Sequence, residues 1–91
     1  MGAEAKLEAK CVKYAKSLGF VMPKWASPGT NGVHDRLLIV IGKMIPIEFK
    51  APGGQLSALQ RNFHRKLDRL EVEQYTIYDY ENFVEICEQY R

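Results

Sequence analysis

Asp35, and thirteen residues later Glu48 and Lys50 with one residue between them, are the side chains whose types and spacing could do chemistry together. Ile45 to Lys50 is otherwise apolar and reads as a central strand. Strand side chains alternate, so Glu48 and Lys50 project from one face about 6.7 Å apart, while Phe49 points the other way into a core. Asp35 stands just before the preceding strand, and a short hairpin would bring it to Glu48. Two carboxylates held together repel each other unless a cation joins them. Magnesium suits such a pair, because it takes hard oxygen ligands, one or two carboxylates and several waters. The ammonium of Lys50 adds a group that can orient or deprotonate an attacking water. The plainer alternative is a turn-forming Asp and a Glu/Lys pair decorating a solvated sheet face. Against it stand the apolar strand and, beyond Lys50, a Gly-Gly loop and a capped, basic helix on which a phosphate backbone could lie.

The elements that must position these residues are readable in order. Leu7, Cys11, Tyr14, Ala15 and Leu18 form one helical stripe over Glu4–Leu18, and Gly19 is placed to stop it. Val21–Ala26 predicts a short strand that Pro23 restricts to an edge or an irregular form. Ser27 to Gly32 is dense in loop formers. Arg36–Ile41 predicts a buried strand, Gly42-Lys43 a turn, and Met44–Lys50 its hairpin partner. Pro46 lacks a ladder donor, so that strand should begin late or pair on one side there. Ser57-x-x-Gln60 is a capping box that opens a helix with the stripe Leu59, Phe63, Leu67 and Leu70. Tyr75–Tyr78 follows as a strand, then Asp79 as cap to a last helix lined by Phe83, Ile86, Cys87 and Tyr90. The order α-β-β-β-α-β-α predicts an α/β fold, a mixed β-sheet core flanked by helices.

Asp35…Glu48-x-Lys50 resembles the motif of the PD-(D/E)XK nucleases. The longer strings Gly32-Val33-His34-Asp35, Ile47-Glu48-Phe49-Lys50 and Gly54-Gln55-Leu56-Ser57-x-x-Gln60 are similar to the VRR-NUC family, in particular its small stand-alone, phage-type members. The departure is His34 where that pattern carries Pro. The resemblance implies a restriction-endonuclease-like fold and Mg²⁺-dependent hydrolysis of DNA phosphodiesters, with Mn²⁺ able to substitute. The substrates implied include branched DNA such as Holliday junctions. It implies that Asp35, Glu48 and the main-chain carbonyl of Phe49 hold the metal and that Lys50 positions the water. Gln60 is either the orienting residue of the site or only the helix cap, since one side chain cannot easily do both. Glu8 is the candidate for the upstream helical acid facing the metal, with Glu4 as competitor. Arg61, Arg65 and Arg69, spaced by four, with Lys66 and His64 nearby, make a basic face that either contacts phosphates or is merely solvated. Lys24 and His34 are further candidates for contact with DNA.

Charge supports a polyanionic partner only once the chain is divided. Net charge is +2, yet residues 1–70 hold twelve Lys/Arg against five Asp/Glu, and residues 71–91 hold one against six. Ninety-one residues predict one domain, and 46% apolar content argues against disorder. No run approaches the roughly 20 apolar residues of a membrane span, and no signal-peptide pattern opens the chain, so a soluble intracellular protein is expected. Two cysteines without C-x-x-C spacing read as buried thiols. A junction cut on two strands predicts a symmetric homodimer, with the tyrosine-rich segment Tyr75–Tyr90 as its expected surface.

Overall fold

The computed structural model describes residues 1–91. Helix α1 (Ala3–Ser17) buries Cys11 and Ala15 on the expected stripe, and Gly19 at φ +83° follows its end. Strands β1 (Arg36–Val40) and β2 (Lys43–Phe49) pair antiparallel, with Arg36 opposite Ile47 and Val40 opposite Lys43. The turn is therefore Ile41-Gly42, one residue earlier than expected, because Gly42 supplies the positive φ (+74°). Strand β3 (Tyr75–Ile77) joins the other side of β2 in parallel, with Ile47 opposite Tyr75 and Phe49 opposite Ile77. Since β3 starts opposite Ile47, Pro46 is paired on one side only, and its missing N–H costs the sheet nothing.

Helix α2 (Ala58–Arg69) opens with the full capping box: the Ser57 hydroxyl accepts from the Gln60 N–H, and the Gln60 side chain accepts from the Ser57 N–H at 2.8 Å. Helix α3 (Tyr80–Glu88) opens at Asp79, whose carboxylate accepts from the Asn82 N–H at 2.8 Å. Helices α1 and α3 pack side by side on one face of the sheet. Leu38, Ile45, Ile47, Phe49, Phe83 and Cys87 are fully or almost fully buried between them. A Phe removed from water contributes about 1.5–3 kcal/mol, so Phe49 anchors to the core the very strand that carries Glu48 on its other face. Helix α2 lies on that other face.

Two expectations are corrected. Val21–Ala26 is not a regular strand but two isolated pairings, Val21 with Ile39 and Lys24 with Arg36. Pro23 has no N–H to give, and only its carbonyl takes part, accepting from Leu37. The inward face of α2 is rotated from the predicted stripe: Leu59 and Leu70 are 56% and 74% exposed, whereas His64 is buried. Of the aromatic residues of the last segment, one is buried, Tyr75, Tyr80 and Tyr90 are half-buried and Tyr78 is exposed. Phe83 is buried, Tyr80 meets Tyr14 edge-on at 5.8 Å, and the Tyr75 and Tyr90 hydroxyls both donate to the Glu73 carboxylate.

Candidate active site

The β1–β2 ladder stops at Arg36–Ile47, and the Asp35 carboxylate takes over the next donor: its Oδ2 accepts from the Phe49 N–H at 2.8 Å. The N–H and C=O of one strand residue point to the same side, so the Phe49 carbonyl is directed toward Asp35 as well. Glu48 faces away from the α1/α3 core and is only 1% exposed. Its Oε2 accepts from the Gln60 Nε2 at 3.1 Å, and its Oε1 is buried with no protein partner. Burial, then the negative charge of the neighbouring Asp35 carboxylate, push the Glu48 carboxyl up to about 8, and Lys50 opposes. A buried acid with one orphaned oxygen, beside a second and half-buried carboxylate, is a hard-oxygen donor set short of positive charge. The residues fit a divalent cation on that observation.

Gln60 caps its helix and reaches the carboxylate pair at once. Its Oε1 completes the capping box and its Nε2 holds Glu48, because the two ends of one amide are an acceptor and a donor. The N-terminal turn of α2 is brought this close by Gly32. At φ +84°, a Cβ on Gly32 would lie 2.3 Å from the Leu59 carbonyl oxygen, so only glycine admits the helix here.

Two further site assignments change. His34 is 1% exposed, and so is interior rather than a DNA contact. Its ring stacks on His64 with centroids 3.9 Å apart, has Trp25 at 6.0 Å, and lies 2.7 Å from the Gln74 Oε1 through Nε2. Burial and the neighbouring His64 lower its pKa to about 4, and burial lowers that of His64 too. Buried in this stack, His64 is withdrawn from the basic face of α2. Glu8 is held by Arg36 at 2.6 Å, and Arg36 also donates to the Met22 carbonyl. Glu4, one turn earlier on the same side of α1, is exposed.

The remaining candidates stand on the surface. Arg65, Lys66 and Arg69 are exposed along α2, and Arg61 is exposed with one donor on the Leu56 carbonyl. Lys24 is exposed on the edge segment beside Arg36. Sequence reasoning missed Gln74, which ties His34 to the His64 carbonyl and to Asp68. It also missed Trp25, whose signal was available as the single tryptophan, placed just before the loop leading to Asp35.

No family model matches the chain. Over 65 residues, 70% of this chain and 70% of the relative, it is 37% identical to a protein of Acyrthosiphon pisum secondary endosymbiont phage 1 named "Putative nuclease p44". A solved structure described as a VRR_NUC domain superposes with a TM-score of 0.82, covering 97% of each chain at 16% identity. The likeness in fold extends to both ends of the chain and the likeness in sequence to two thirds of it, and with Asp35, Glu48 and Gln60 gathered at one point the conclusion follows that this chain belongs to the same nuclease family as that phage protein and carries the fold of a VRR_NUC domain.

Proposed function

We propose that the chain is a single-domain, metal-dependent DNA endonuclease. The observation that supports this best is the buried Glu48 oxygen without a partner, beside a second carboxylate and an ammonium. Asp35, Glu48 and the Phe49 carbonyl hold a divalent cation, Mg²⁺ with Mn²⁺ as substitute. Such an ion supplies a Lewis acid that acidifies water and offsets charge building on the phosphate. Lys50, on the same face of β2 as Glu48, orients the attacking water and assists its deprotonation. Gln60 keeps Glu48 in a single orientation. Arg61, Arg65, Lys66 and Arg69, with Lys24 at the edge, contact phosphates, which fixes the register of the DNA but reads no sequence.

The preferred substrate in this reading is branched DNA such as a Holliday junction, cut by a symmetric homodimer that presents two sites. Two surfaces could take the twin: the half-exposed tyrosines of the last segment, and the exposed apolar group Val21, Ile41 and Met44 at the hairpin end. The test is nicking of plasmid, linear duplex and four-way junction with Mg²⁺, Mn²⁺ or EDTA, with light scattering in parallel. Cation-dependent junction cutting by a species of twice the 10.5 kDa chain mass is expected. Binding without cleavage under every cation would instead make the chain a silent DNA-binding module on a nuclease fold.

A further inference from the structure

The four lysines of α1 have no role at the carboxylate site. Cys11 and Ala15 fix the inward side of that helix, and Glu4 and Glu8 fall on the same side at helical spacing. Glu8 is paired there with Arg36 at 2.6 Å. Lys6, Lys10, Lys13 and Lys16 are all exposed and all fall on the outward side, which carries no acid. Only Lys10 meets a neighbour, lying over the Tyr80 ring at 4.1 Å. The helix thus turns its acids in and its bases out.

Helices α1 and α2 stand on opposite faces of the sheet. Helix α1 packs with α3 on the Phe49 side, whereas the first turn of α2 reaches Glu48 on the other side through Gln60. The two basic surfaces therefore lie on opposite sides of the protein. One straight duplex cannot follow both, because the sheet lies between them. Two duplex arms that meet at the site can.

We propose that the outward face of α1 is a second DNA-backbone track, which holds the arm of a branched substrate that α2 does not hold. This rests on the nuclease reading for its substrate and specifies how that substrate is gripped.

The test is binding of the full chain in EDTA to a linear duplex and to an immobile four-way junction, by fluorescence anisotropy across a salt series. The variant is Lys6→Gln/Lys13→Gln. Its charge-matched control is Lys43→Gln/Arg91→Gln, whose charges are paired with Glu73 and Glu88. The junction log–log slope is expected to fall by about 1.8, two contacts at roughly 0.9 each. The linear-duplex slope should stay unchanged, and the control should leave both slopes in place. Equal loss on both substrates, or equal loss in the control, overturns the two-arm grip; no loss at all returns α1 to a solvated face. A chain that shows the expected pattern yet cuts neither substrate with Mg²⁺ refutes the nuclease reading and leaves the track standing.

Discussion

Replacing Glu48 by Gln should make the cation-free protein more stable while ending catalysis. The folded-state pKa of Glu48 is about 8 against an ordinary 4.5, so between those values the folded chain holds a proton that the unfolded chain has released. Stability is therefore fully present below about pH 4.5, falls as pH rises, and levels off above about 8. From 4.5 to pH 7 is about 2.5 pH units, and at about 1.4 kcal/mol for each the cost is roughly 3 kcal/mol. Glutamine is neutral and of the same shape. Its oxygen can accept from Gln60 as Oε2 does now, and its amide can donate toward Asp35. Urea denaturation in EDTA should show the variant ahead by about 2–3 kcal/mol at pH 7, with the gain shrinking to near zero at pH 4.5. Added Mg²⁺ should stabilise the wild type and leave the variant unmoved. A variant equal to or weaker than wild type at pH 8, cation-free, would refute the account of Glu48 as a strained buried acid.

Three other outcomes rest on the same geometry. Asp35→Asn and Lys50→Ala should each abolish cleavage measured in single turnover while junction affinity stays within a few-fold, since affinity comes mainly from Lys/Arg contacts with phosphates. Gly32→Ala should cost roughly 1–3 kcal/mol through its positive φ and the collision with Leu59, and urea midpoints would read it. Cleavage should fall further than folding alone explains, because the turn it displaces carries Gln60. Reversing charge at Arg61 and Arg65 should flatten the salt dependence of duplex binding by about 1.8 in the log–log slope or more, and an unchanged slope would make that face a solvated one.

What the chain disclosed before its structure was what local chemistry decides. Ser57 and Gln60 announce a helix start because cap and partner are three residues apart, and both bonds form. Glu48 and Phe49 had to face opposite ways because strands alternate, and one is at the carboxylate pair while the other is in the core. What stayed hidden was decided by partners distant in sequence. In sequence His34 is a candidate for contact with DNA, because its stacking partner His64 lies thirty residues away and its hydrogen-bond partner Gln74 forty. The α2 stripe was misplaced because hydrophobicity named Leu59 and Leu70, whereas the site required Gln60 and His64 to face inward. Glu8 was preferred over Glu4 by its neighbours Leu7 and Cys11, but Arg36, across the fold, claims it.

The double engagement of Gln60 restricts what position 60 can be. A capping box accepts glutamate as readily as glutamine, since only the side-chain oxygen is used. Seen from the helix alone, the two residues are synonyms. Seen from Glu48 they are opposites: the amide offers a hydrogen, while a carboxylate would set a third acid against a pair that already holds a proton to about pH 8. The letter at this position is thus read twice, once by the start of a helix and once by the chemistry, and glutamine is the shared answer. A capping residue whose identity is narrower than capping demands is a mark, visible in sequence, of a helix end that faces an active site.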